Sequence, residues 1–149
     1  MREQGNLLIE LVMVIFVLSI LFCATLPRSA IVERLALENE AWHLASDLRW
    51  LQQYSMNIAK GHIKVSAAGH DSIPKMRFIF GKNSSYTIST ATVIMRKHVF
   101  KNNVVLTGNI NAISFNTDGH INQLQTIYLF QQNRSKHVVI DRAGRIRVE

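Results

Sequence analysis

The stretch Gly5-Asn6-Leu7-Leu8-Ile9-Glu10-Leu11-Val12-Met13-Val14-Ile15-Phe16, continuing apolar through Val17-Leu18-Ser19-Ile20-Leu21-Phe22-Cys23-Ala24-Thr25-Leu26 to Pro27, decides how the rest of the chain is read. Asn6 to Leu26, drawn as a helix, spans about 31 Å, roughly the thickness of a bilayer's hydrocarbon core. That is longer than the apolar segment of a secretory signal, which runs about 7–15 residues. Cys23-Ala24-Thr25 is a poor signal-peptidase site, and Phe22 stands where a lipoprotein signal needs a small residue before its cysteine.

Glu10 is the single charge in this run. A carboxylate at membrane depth costs on the order of 2.5–3.5 kcal/mol even on lenient insertion scales. One reading leaves Glu10 close enough to the interface to snorkel or take a proton. The other supplies a cation at the same depth. A cut after Gly5 would free the α-amine of Asn6, one helical turn from Glu10, to neutralise the acid in its own chain or in a neighbour. Between neighbours such a pair fixes the axial register of packing helices.

Gly5-Asn6-Leu7-Leu8-Ile9-Glu10-Leu11-Val12 resembles the prepilin processing site of type IV pilins and type II secretion pseudopilins. The resemblance implies a leader at residues 1–5, cleavage between Gly5 and Asn6 by prepilin peptidase, methylation of the new N-terminus at Asn6, and an assembly role for Glu10. Asn6 stands where the family usually has phenylalanine. Pro27 matches a proline that kinks many pilin helices at this depth, and its missing N–H bends a helix in any case.

Beyond Pro27 the pattern becomes amphipathic. Leu37, Ala41, Leu44, Leu48, Leu51, Ser55 and Ile58 recur at gaps of three and four and form one helical stripe. Glu33, Glu38, Glu40, Asp47, Arg49 and Gln53 fall mostly off it. Lys60-Gly61 reads as the helix end. The spacing therefore predicts one long bent helix, residues 6–27 in the membrane and 28–60 amphipathic, with Trp42 and Trp50 as core aromatics or subunit contacts.

From His62 the segments shorten and become β-branched and aromatic. Strands are predicted over His62–Ala67, Met76–Phe80, Tyr86–Met95, Asn103–Leu106, Ala112–Phe115, Thr126–Gln131, His137–Ile140 and Arg145–Val148. Turns such as Asn102-Asn103, Asn116-Thr117-Asp118-Gly119 and Asp141-Arg142-Ala143-Gly144 separate them. The expected fold is α+β: a long N-terminal helix packed on an antiparallel β-rich head at residues 61–149. Phe115–Gly119, Tyr128–Phe130 and Val139–Arg147 are similar to the C-terminus of H-type minor pseudopilins, T- and U-type minor pilins and the D-type pseudopilin of Gram-positive competence systems. Such a subunit is expected in the cytoplasmic (inner) membrane, single-pass with its head outside, and then in a periplasmic or surface filament. Its partners would be other pilins, the prepilin peptidase and the assembly platform of a secretion, pilus or competence machine.

The 149 residues leave room for one domain and an anchor. Residues 1–60 hold five Lys/Arg against six Asp/Glu, and residues 61–149 hold twelve against four, so the +7 net charge lies in the C-terminal part. One cysteine, Cys23, excludes an intramolecular disulfide. The six histidines lack metal-ligand spacing, and no nucleophile grouping or phosphate loop appears, so no enzyme activity, metal or cofactor is expected. On a strand, Arg145 and Arg147 would share a face about 6.6 Å apart, each guanidinium able to fork onto a phosphate. Gly144-Arg145-Ile146-Arg147 resembles a segment of T-type minor pilins implicated in DNA uptake, and Arg142, Arg134 and Lys136 would enlarge the patch. The plainer reading is a solvated edge strand whose arginines deter aggregation. Sequence alone thus frames a structural filament subunit, a DNA-contacting head, and an unprocessed single-span protein with an outer β domain.

Overall fold

A computed structural model of the chain describes residues 3–25, 29–60, 73–81, 83–90, 93–108 and 110–149. It divides into two units, Met1–Val32 and Glu33–Glu149. In the first, helix α1 runs Glu3–Thr25. Every side chain from Leu7 to Ala24 is exposed, and this stretch is long and apolar enough to cross a membrane. Pro27 and the expected strand His62–Ala67 lie outside the described residues.

Helix α2, Ser29–Ala59, carries the predicted stripe into the second unit. Leu37, Ala41, Leu44, Leu48 and Leu51 are buried with Ser55, whose hydroxyl bonds back to the Leu51 carbonyl at 3.0 Å. Trp50 packs against the core while Trp42 is about half exposed, so the two tryptophans separate.

Eight strands follow: β1 (Lys75–Ile79), β2 (Ser85–Ser89), β3 (Ile94–Val99), β4 (Val105–Thr107), β5 (Ala112–Ile113), β6 (Gln125–Gln131), β7 (Arg134–Ile140) and β8 (Ile146–Val148). They form two antiparallel four-stranded sheets, ordered β3-β2-β1-β5 and β4-β6-β7-β8. Period-two alternation turns Met76, Phe78, Tyr86 and Ile88 of the first sheet inward. Leu106, Ile127, Leu129, Val138, Ile140 and Ile146 of the second join them in the core with α2. The expected α+β arrangement is therefore present.

Several strand expectations are corrected: β5 stops at Ile113 rather than Phe115, and β7 begins at Arg134 rather than His137. Tyr86–Met95 is not one strand: Thr90 and Val93 bond to each other, Thr90 N to Val93 O at 3.0 Å and Val93 N to Thr90 Oγ1 at 3.2 Å, dividing β2 from β3. A run of β-formers without Gly or Pro conceals that turn. Asn103 does not begin a strand, since Asn102 and Asn103 both adopt positive φ (56° and 58°), a conformation asparagine tolerates. Arg145 precedes β8 because its N–H donates to Asp141 Oδ1 at 2.9 Å, closing a turn.

Two similar turns lock the second sheet to α2. Gly119 N bonds Asn116 O and Gly144 N bonds Asp141 O, both at 2.9 Å, and both glycines have φ +79°. The carboxamide of Gln52 donates to the carbonyls of Gly119 (2.7 Å) and Gly144 (3.0 Å), and Arg49 reaches Ile146 O at 3.3 Å. A Cβ on Gly144 would collide with the Gly119 carbonyl and the Gln52 amide, and would also strain a left-handed residue. Gly144→Ala is expected to destabilise the head by about 3 kcal/mol, read as a lower urea midpoint with an unchanged slope.

Candidate functional site

Three loci bear on function. In the first unit, α1 runs without a break through the Gly5–Asn6 peptide, so Asn6 and Glu10 stand four residues apart on one helical face. Ser19, the hydroxyl in the span, is satisfied by the Ile15 carbonyl at 2.7 Å. Glu10 has no partner among the described residues.

In the second unit, α2 meets β2 and β3 through a polar network. Tyr86 Oη donates to Asp47 Oδ2 at 2.8 Å and accepts from His43 Nδ1 at 2.9 Å. Arg96 Nη1 pairs with Asp47 Oδ1 and holds its guanidinium 4.2 Å from the centre of the Trp50 ring. His98 Nε2 meets Glu40 Oε2 at 2.7 Å and stacks on His43 at 4.2 Å. Burial, then the Asp47 carboxylate, pushes the Tyr86 phenol well above its ordinary range, so it stays a neutral donor.

Glu40 and Asp47 lie off the predicted stripe and are nonetheless buried. Seven residues apart, they form a second row beside the stripe and face the first sheet. The seven-residue interval between two acids was the one legible sign, because their partners Tyr86, Arg96 and His98 arrive from distant strands.

The C-terminal cations do not form one patch. Ile146 pairs with Ile140 and both are buried, while Arg147 pairs with Val139 and points outward. Lys136 and Arg134 share the strand face of Val138 and Ile140, opposite Arg147. They line a groove of about 440 Å³ with Arg34, Leu37 and Glu38 of α2. Arg145 and Arg147 are both exposed, as expected, but Arg145 Nε is 2.7 Å and Arg147 Nη2 4.0 Å from Asp141 Oδ2. The Arg145 backbone N–H, with the two guanidiniums, holds the Asp141 carboxyl below the usual range. Arg142 is exposed in the turn. The sequence pattern paired the arginines with a phosphate and overlooked the aspartate that already occupies them.

No protein-family model, no curated protein sequence and no solved structure matches the chain. Among the described residues, no three His, Cys, Asp or Glu side chains gather to hold a metal ion.

The Tyr86 shift sets an alkaline limit. A phenol whose pKa is raised by folding stabilises fully below its unfolded value near 10, and that stabilisation is lost as pH rises above it. Above pH ~10 the head is expected to lose about 1.4 kcal/mol per pH unit from this group. Denaturant midpoints of wild type and Tyr86→Phe, followed from neutral pH upward, should converge as pH rises. Parallel curves would contradict the assignment.

Proposed function

We propose that the chain is a structural subunit of a type IV pilin-like filament, a minor pilin or pseudopilin held in the cytoplasmic membrane by α1 before assembly. The observation that carries this reading is α1 itself. All eighteen residues from Leu7 to Ala24 are exposed without protein cover, and all are apolar except Ser19 and Glu10, their one charge. Lipid satisfies the apolar surface but not the acid. Packing against a second copy of such a helix satisfies both, provided a cation arrives at the same depth.

Prepilin-type cleavage after Gly5 supplies that cation. In the mature form the Asn6 amine, methylated or not, lies one turn from its own Glu10 and within reach of a neighbour's. The subunit would then be handed from membrane to filament by a separate machine for secretion, pilus assembly or competence, with packing rather than catalysis as its contribution. α2 suits this role, since one face is committed to the head while Leu35 and Trp42 stay exposed along its length.

The charge of residues 61–149, twelve Lys/Arg against four Asp/Glu, favours a second reading in which the head also contacts nucleic acid.

Removing one partner of a buried ion pair costs about 3–5 kcal/mol, more than a hundredfold in an association constant. Glu10→Leu is therefore expected to reach the membrane normally but to fall at least tenfold in filaments sheared from native cells. Incorporation equal to wild type would remove the assembly role of the acid.

A further inference from the structure

A group of cations without a carboxylate partner among the described residues lies on the first sheet, away from the C-terminus. The register aligns Arg77 of β1, Thr87 of β2 and Lys97 of β3 in one cross-strand row. Their neighbours Met76, Phe78, Tyr86 and Ile88 point into the core, so this row points outward. Lys75 stands two residues along β1 on the same face. Arg77 and Lys97 are about 9.6 Å apart, and Lys75 lies about 6.7 Å from Arg77. None of the three meets a carboxylate among the described residues, unlike Arg96 on Asp47 or Arg145 on Asp141.

This row opens into a groove of about 610 Å³ lined by Arg77, Thr87, Ser89, Ile94 and Asn111. A second groove of about 600 Å³ is lined by Asn111, Leu124, Thr126 and Tyr128. Asn111 lines both, so the two grooves adjoin and give a path from Arg77 on the first sheet to Tyr128 on the second. At its far end Tyr128 and Phe130 stand on the solvent face of β6, 41% and 39% exposed. Their rings are within 21° of parallel with centroids 6.3 Å apart, and His137 meets Tyr128 edge-on at 5.4 Å.

We propose that this path binds a single-stranded nucleic acid, its phosphates on Lys75, Arg77 and Lys97 and two bases on Tyr128 and Phe130. Exposed aromatics on a four-stranded sheet, flanked by cations, are how single strands are gripped without sequence preference. The ring spacing exceeds the about 3.4 Å between stacked duplex bases, so it suits bases splayed along an extended strand. A duplex keeps its bases stacked inside and could use only the cations. An acidic peptide would likewise leave both rings idle. The inference rests on the nucleic-acid reading of the head, which it moves from the C-terminal arginines to the sheet grooves. It does not depend on filament assembly.

The test uses the full chain in detergent micelles, with fluorescein-labelled oligothymidine and the corresponding duplex, by anisotropy at about 50 and 200 mM salt. Single strands should bind tighter than duplex. Tyr128→Ala with Phe130→Ala, both exposed, should weaken single-strand binding about tenfold or more at unchanged salt slope. Arg77→Gln with Lys97→Gln should weaken it and flatten the log–log salt slope by about 1.4. Arg142→Gln with Arg145→Gln, in the turn before β8, should leave most of the binding. Equal affinity for duplex, or binding lost only in the Arg142/Arg145 pair, overturns the groove assignment while leaving a nucleic-acid head. Absence of binding by the wild type overturns both.

Discussion

An ionised carboxylate in a hydrocarbon layer must find a positive partner, surrender its charge or move to the interface. Glu10 faces that choice within a helix whose side chains are otherwise suited to lipid from Leu7 to Ala24. The surrounding polar atoms give no relief, since Ser19 is already bonded to its own helix. Under the proposed cleavage, a chain end at Asn6 would resolve the problem without another titratable side chain. It would also make the resolution intermolecular, because an amine and an acid one turn apart can pair between staggered copies as readily as within one. On this view membrane residence and polymerisation are two ways of covering the same helix.

The head answers a different requirement, that of holding two sheets against one helix. Gln52 reads the carbonyls of two turns far apart in sequence, while Asp47 and Glu40 bind Arg96, Tyr86 and His98 of the first sheet. α2 therefore fastens the second sheet through bonds to backbone carbonyls, from Gln52 and Arg49, and the first through its buried carboxylates. Removing either set would leave buried acceptors or acids unpaired, which costs more than the contacts themselves contribute.

Much of this architecture was legible in the sequence where one local rule decided the outcome. The stripe Leu37–Ser55 follows from helical period, and β1, β6 and β7 follow from alternation between turn residues. Gly119 and Gly144 stood out as turn residues, but their shared partner Gln52 did not, because the contact joins segments that only the fold brings together. The division of β2 from β3 carries no Gly or Pro signal, since Thr90 bonds Val93 through both its backbone N–H and its hydroxyl. The C-terminal arginines showed their alternation correctly and hid their neutralisation, which depends on the turn bringing Asp141 beside them. Arg134 and Lys136 are near them in sequence yet on the opposite face of the sheet, a matter of parity that a strand boundary shifted by three residues obscures.

The intact mass of the protein extracted from native membranes tests the central claim most directly. The account predicts a chain that has lost Met1–Gly5 and begins at Asn6, with or without one added methyl group. A membrane form that retains Met1 through maturation would leave Glu10 without its amine and contradict the account.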